Sequence, residues 1–401
     1  MEEHGREHRQ PGRNRRHLRR QPGGAGEYRR RHAEGVYRLP GRFRRQTHLP
    51  EEDQHAGAEQ RRREHRRTSG RIVVAERDHG LAPSWEKLLQ ARAGPAVTRA
   101  ERIVSLLPGA TETVAALGLE DALVGISADC DAPASVLDRP RVSQALIDPA
   151  QTPAAIDREV RERSARGAPL YQVDAAALAA LRPDLVLAQS LCDVCAPTPG
   201  GLTAEAVAGA SVLSLDARDL QGVFAEIAHI AEAAGAGSVG PRLLAQLRAR
   251  LAAARRLPTR RPRVLTVEWP EPLFIGGHWV PEMVRLAGGQ PLGVPGAHSR
   301  TVSWDEVRDF APEVIILMPC GLGLEAAART LPALTARPSW DTLPAVRTGA
   351  VHAVDGNRHF SRPGPGLVTG VEVLSALLAG SPPPPSLARR ATPHELGGRR
   401  G

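Results

Sequence analysis

The chain has 401 residues, a formal net charge of +9, 3% aromatic residues and four cysteines. Four cysteines at this length are too few for a disulfide scaffold, and no run of 18 apolar residues exists, so no membrane-spanning helix is expected. Residues 1–100 hold 24 Arg+Lys against 13 Asp+Glu, whereas residues 101–401 hold 29 against 31, so the body has no overall pull on phosphate and no nucleic-acid partner is expected.

Residues 1–98 are rich in Arg, His, Gln, Gly and Glu with little apolar periodicity. They cannot bury enough surface to offset ordering entropy, so they are expected to be a disordered basic tail or an upstream extension. Lys87 is the sole lysine among 53 basic residues, a bias that points to codon composition. A nucleic-acid tail and a His-rich metal tract are the functional alternatives. No apolar h-region is visible near Met1, so a cytoplasmic location is the expectation for the sequence as written. Translation starting near Val97 would leave a periplasmic or cell-surface location open.

The body opens with a predicted strand, Arg102 to Leu107, a Pro108-Gly109 turn, and a helix from Ala110 to Leu117 closed by Gly118. A second strand, Leu123 to Ser127, leads into Ala128 to Pro133. Pro153 to Arg166 is polar and helical and reads as an insertion. Leu178 to Cys192 then forms a unit that returns at Val307 to Cys320: short helix, Pro-acid corner, buried apolar run, and a loop carrying cysteine. Pro183 and Pro312 push the preceding residue out of the helical region, and Leu185 to Ala188 and Val314 to Met318 suit strands of a parallel sheet. Between the copies come a strand (Ser211 to Leu215), a helical stretch (Leu220 to Arg256) interrupted at Gly235-Ala-Gly237, and a strand from Arg263. Trp279 to Leu286 is a helix, Ala350 to Val354 a strand, and Pro363 to Leu378 the last helix. The duplication predicts an α/β fold: two Rossmann-like lobes (99–219 and 258–380) joined by a long connecting helix (220–257), with a disordered tail (381–401). Facing lobes enclose a cleft.

Residues 102–379 resemble the substrate-binding proteins of the cobalamin and ferric-siderophore uptake type, periplasmic-binding-protein class III. The resemblance is carried by Ser105 to Gly118, Leu181 to Val186, Gly277 to Gly289 and Phe360 to Pro365. The Leu-Cys-x-x-Cys loop at Leu191 to Cys195 is similar to the branch named cobalamin-binding proteins. It implies two lobes joined by a helix that flexes little, a ligand held at the lobe tips, and acidic residues docking on an ABC permease. Asp174 on the first lobe, and Asp305 or Glu306 on the second, stand at the matching places.

No nucleophile-base pair, phosphate loop or carboxylate dyad emerges, so no enzyme activity, catalytic residue or catalytic cofactor is expected. Pro108, Gly109, Ala110 and Thr111 open a helix after a strand, where backbone N–H groups can meet a polar ligand edge; the alternative is that Thr111 only caps. Trp269, Phe274, Trp279 and Phe360 stand out in a chain so poor in aromatics and offer stacking faces to a corrin ring, or pack in the core. Cys130, beside Asp131, and Cys192 and Cys195 lie after predicted strands; they are a disulfide, buried thiols, or thiols touching ligand metal, and Cys192 and Cys195 alone supply too few ligands for structural zinc. His278, His298 and His359 can coordinate cobalt or iron, and Arg358 and Arg362 can pair with ligand carboxylate, amide or phosphate. The expected function is a monomeric receptor that clamps a corrinoid such as cobalamin between two lobes. Heme or a ferric siderophore is one alternative, and a cytosolic corrinoid-handling or thiol-redox protein using the Cys-x-x-Cys is the other.

Overall fold

The computed structural model describes residues 72–74, 99–189, 202–203 and 205–397. β1 (Ile72–Val74), β2 (Ile103–Ser105), β3 (Leu123–Ile126), β6 (Leu185–Gln189) and β7 (Ser211–Leu215) form one sheet in the order β1-β7-β6-β2-β3. Every pairing in it is parallel. β4 (Ser143–Ala145) and β5 (Tyr171–Val173) make a separate antiparallel pair. The second sheet contains β8 (Arg263–Trp269), β9 (Phe274–Ile275), β10 (Gln290–Pro291), β11 (Arg300–Thr301), β12 (Val314–Leu317), β13 (Val351–Val354) and β14 (Ala388–Arg390). Its order is β11-β9-β8-β12-β13-β14, with β10 also on β8.

Stripped of edge additions, the sheets read β3-β2-β6-β7 and β10-β8-β12-β13. Each has its first strand flanked by the second and third, and the fourth outside the third. The sequence repeat is therefore a repeat of topology, with β6 and β12 as equivalent strands.

The Pro-acid corners show why those residues recur. Arg182 and Ala311, each just before its proline, have φ of 42° and 46°, so the helix cannot continue through them. Asp184 then accepts the backbone N–H of Glu101 at 2.8 Å and Arg102 at 3.2 Å. Glu313 accepts that of Arg263 at 3.1 Å. Arg102 and Arg263 each return a guanidinium Nε–H to the corner, on the Leu181 carbonyl (2.8 Å) and the Ala311 carbonyl (2.9 Å). In both halves the acid tethers the start of the central strand to the end of the preceding helix.

The helices are α1 (Pro108–Ala116), α2 (Pro153–Ala165), α3 (Ala175–Ala180), α4 (Leu220–Ala233), α5 (Gly240–Ala254), α6 (Val280–Leu286) and α7 (Trp304–Phe310). Four short ones follow, α8 (Leu324–Ala328), α9 (Pro332–Thr335), α10 (Pro344–Arg347) and α11 (Gly356–His359), before α12 (Gly366–Leu378). The connecting stretch is two helices. Gly235 has φ +67° and its added Cβ would lie 2.5 Å from Arg99 Cα, so the chain turns where the sequence is interrupted. Val223, Phe224 and Ile227 of α4 share one core with Val264 of β8, Ile316 of β12, Met283 of α6 and Val371 of α12.

The tail expected to be disordered from Ser381 instead adds β14, antiparallel to β13. Glu395 receives both terminal nitrogens of Arg389 (3.0 and 2.7 Å), and Arg390 donates to the Gly349 and Thr348 carbonyls. Proline-rich composition hid an edge strand held by arginines.

His352 of β13 stands opposite Arg390. Burial, aided by that guanidinium, lowers its pKa to about 4. The folded state thus disfavours the imidazolium, so its contribution to stability is full above the ordinary value of 6.5 and is lost as pH falls towards 4. Thermal denaturation is expected to show a falling Tm across that window, flattened in His352→Gln.

Candidate functional site

The carboxyl ends of the two sheets' strands meet. β2 runs directly into α1, with Pro108 in the first turn and Leu107 as an extended N-cap residue. Thr111 does not cap: its hydroxyl reaches the Leu107 carbonyl at 3.3 Å and Cys130 Sγ at 3.1 Å. Ser127 Oγ is 3.2 Å from the same sulfur. Cys130 is 1% exposed, and burial pushes its thiol pKa up. It is a buried small thiol, which corrects the expectation that it faces a ligand.

The loop after β3 is held by Arg141, whose Nη1 donates to the carbonyls of Ser127 (2.8 Å), Ala128 (2.9 Å) and Cys130 (2.9 Å). Sequence reasoning missed this residue, because one arginine meeting three carbonyls leaves no motif. The clamped loop presents Asp131 outward.

From the other sheet, the segment after β13 comes to meet it. Arg362 is 5% exposed. Its Nη1 donates to Glu112 Oε1 at 2.8 Å and Asp131 Oδ1 at 2.6 Å, and Nη2 to the Asp129 carbonyl at 3.4 Å. Asn357 Nδ2 donates to Asp131 Oδ2 at 3.1 Å. Burial raises the pKa of Glu112, with Arg362 opposing the rise. Gly109 meets Pro363 so closely that an added Cβ would lie 2.2 Å from its carbonyl oxygen. A cavity of about 270 Å³ opens beside this junction, lined by Glu112, Ala115, Ala116, Glu120, Ala132, Pro133 and Arg358. A larger one, about 450 Å³, runs along the polar face of α2 and touches none of these groups.

At the end of β8, Trp269 donates its indole N–H to the Pro153 carbonyl at the start of α2, 3.1 Å away. Trp269 and Phe274 are half-buried. After β9, His278, in the left-handed region at φ 51°, places Nε2 3.3 Å from Nδ1 of His298. Ser299 Oγ donates to Glu268 Oε2 at 2.8 Å and accepts the Gly277 N–H at 3.1 Å, pinning this hairpin. Burial raises the Glu268 carboxyl pKa. The Cys320 N–H closes the loop after β12 onto the Glu268 carbonyl at 3.0 Å.

The family described as periplasmic binding protein matches residues 103–357. The chain belongs to that family. Among solved structures it is similar to the periplasmic heme-binding protein BhuT in complex with two hemes: 26% identity, TM-score 0.53, covering 70% of this chain and 98% of that one. The fold is shared with the vitamin B12 binding protein BtuF of Vibrio cholerae (24%, TM-score 0.50, 70% and 97% covered). It is also shared with a periplasmic heme-binding protein from Pseudomonas aeruginosa (22%, TM-score 0.55, 73% and 99% covered). No curated protein matches this chain.

Within this periplasmic binding protein the expected residues divide. Arg362, Asp131, Gly109, Trp269, Phe274 and His278 stand at the meeting strand ends. Trp279 and Phe360 do not offer faces to a ligand: they are 4% and 1% exposed, and the Trp279 indole donates to the Phe360 carbonyl at 2.7 Å. That correction follows from α6 packing its Trp279 into the core shared with α4 and α12. Pro108, Ala110 and Thr111 are buried as well. Cys192 and Cys195 lie outside the described residues.

Asp174 caps α3 by accepting the Ala177 N–H at 2.9 Å. Asp305 and Glu306 open α7, where they pair with Arg308 and Arg300. Among the described residues no three His, Cys, Asp or Glu side chains converge as a metal site, and no helix is long and apolar enough to cross a membrane.

Proposed function

We propose that the protein is the substrate-binding component of an ABC-type uptake system and holds a metal tetrapyrrole, a corrinoid such as cobalamin or a heme, between lobes built on its two sheets. The observation that carries this reading is the meeting of strand carboxyl ends from two sheets of the same topology, since open α/β sheets bind ligands just outside those ends. Trp269 and Phe274 supply aromatic faces there, and the His278–His298 pair of the segment after β9 supplies imidazole nitrogens. The likeness to BhuT supports a tetrapyrrole. Binding closes the lobes modestly, and the acids Asp174, Asp305 and Glu306 face the permease on the periplasmic side.

Titration of the full chain with hemin and, separately, hydroxocobalamin tests this, read by the visible absorption band and tryptophan fluorescence. One of them is expected to saturate at one ligand per chain with Kd below about 10 μM, and Trp269→Phe to lose much of the quenching. If neither ligand changes absorption or fluorescence, the tetrapyrrole reading is wrong.

A further inference from the structure

We infer that the β4–α2–β5 excursion is a lid over the ligand cleft, rooted beside the first sheet and latched to the second by Trp269. This rests on the receptor reading above and adds how a ligand enters and leaves. The root is firm. Val142 and Ser143 are buried. The Val142 N–H donates to the Ile126 carbonyl at the end of β3, and the Val142 carbonyl accepts the Asp174 N–H, both at 2.9 Å. Ser143 Oγ accepts the Ala128 N–H at 3.1 Å.

Beyond that root the support changes. Between residues 144 and 173 Leu170 alone is buried, and α2 itself buries no residue. The helix is held by its own chemistry. Thr152 caps it by accepting the Ala155 N–H at 3.3 Å, and Asp157, Glu159 and Glu162 each pair with the arginine four residues on. Arg163 reaches the Leu146 carbonyl at 3.1 Å, and Gln151 reaches Glu159 at 2.8 Å. These contacts fix α2 on its hairpin without tying it to the sheets. A tie comes from the other half: Trp269, at the carboxyl end of β8, donates its indole N–H to the Pro153 carbonyl at 3.1 Å. A segment with so few buried apolar contacts opens at low cost, and one neutral hydrogen bond is a latch that breaks and re-forms readily.

The underside suits a broad apolar ligand. Pro153, Ile156 and Val160 are spaced to share one face of α2. Ile156 and Val160 are half-buried, yet they join none of the cores built on the two sheets. Asp157, between them in sequence, is paired with Arg161. The stripe begins at the residue whose carbonyl Trp269 holds, so the closed lid brings an aliphatic face and an aromatic ring to one place. A tetrapyrrole edge held there is shielded from water on both sides.

Two measurements on the full chain test this. The first is hydrogen exchange without ligand. Trp269→Phe keeps a ring but loses the indole N–H, so α2 amides are expected to exchange about five-fold faster than in the wild type, with β2 and β6 unchanged. Unchanged exchange in α2 overturns the latch. The second is stopped-flow mixing with hemin and, separately, hydroxocobalamin. Asn-Gly in place of residues 147–169 keeps the β4–β5 pair on a two-residue turn, since the Leu146 N–H already meets the Leu170 carbonyl. This shortened chain is expected to bind and to release about five-fold faster or more, because a lid obstructs both directions, whereas a lost contact mainly speeds release. In the intact chain, Ile156→Ser with Val160→Ser removes the apolar underside and should speed release by about three-fold or more. Association no faster in the folded shortened chain, or release unchanged by the double substitution, overturns the lid and leaves the receptor reading standing. Binding of neither ligand by the wild type overturns the receptor reading, and the lid with it.

Discussion

Replacing Arg362 by methionine is expected to lower stability by about 2–3 kcal/mol, measured as a shift in the urea midpoint at unchanged m-value. Arg362 is inserted between Glu112 and Asp131, at 2.8 and 2.6 Å. Methionine keeps much of the buried volume, so the loss reports charge and not packing. Breaking a buried ion pair costs about 3–5 kcal/mol because an uncompensated charge remains. The expectation sits lower because the Asp131 side chain is 50% exposed and can rehydrate, whereas that of Glu112, at 15%, cannot. Adding Glu112→Gln to Arg362→Met should recover part of the loss, which would not happen if the arginine acted only through its hydrocarbon.

The same junction sets a pH dependence. Burial raises the Glu112 pKa in the folded protein above its ordinary 4.5, with Arg362 pulling it back. A carboxyl with a raised folded value contributes stability below its unfolded pKa and loses it as pH rises through the folded one. Without Arg362 most of the pull is gone and only that of Arg358 remains, so Arg362→Met should lose stability more steeply from pH 5 towards neutrality. A loss below about 0.5 kcal/mol with no change in pH slope would mean that the ion pairs at this junction carry no weight.

How much of this was legible in the sequence differs by kind of contact. The strand-forming runs were legible because a buried parallel strand must be apolar on both faces. The Pro-acid corners were legible because proline restricts its predecessor, although the structure sends Arg182 and Ala311 into the left-handed region instead of the extended one. The role of the acids was not: Asp184 and Glu313 find the starts of β2 and β8 about 80 and 50 residues away in sequence.

The site was legible in its loops and not in its side chains. Gly109 and Arg362 were singled out as ligand contacts, yet the structure first engages them with each other's halves. Trp279 and Phe360 were drawn to the ligand by their rarity, and rarity says nothing of which way a ring points. An aromatic is as much at home in a core as in a cleft, and only the packing of α6 against α4 and α12 decides it. Arg141 is the complementary case, a charged residue with no pattern around it that fixes the loop bearing Asp131.

Gly109→Ala is expected to be strongly disruptive for so small a substitution, costing about 2–4 kcal/mol. Two effects oppose each other. In the first turn of a helix, alanine gains up to about 1 kcal/mol over glycine from propensity and reduced unfolded-state entropy. Against that, the new Cβ would lie 2.2 Å from the Pro363 carbonyl oxygen and 2.9 Å from its carbon. Both are backbone atoms, so no rotamer change relieves the clash. Relief requires the α1 loop and the 363–364 segment to part, and that motion carries Arg362 away from Glu112 and Asp131. Steric loss and ion-pair loss then add, which is why the clash wins over propensity. Gly237→Ala is the control, since its added Cβ meets nothing within 4 Å, and it should change stability by less than about 0.5 kcal/mol. Urea unfolding of both variants decides the matter. If Gly109→Ala is as stable as Gly237→Ala, the strand-end loops of the two sheets are not held backbone to backbone. If it is destabilised and still folded, stopped-flow release of bound hemin or hydroxocobalamin should be faster than from the wild type, because the parted loops are the ones that would close the proposed site.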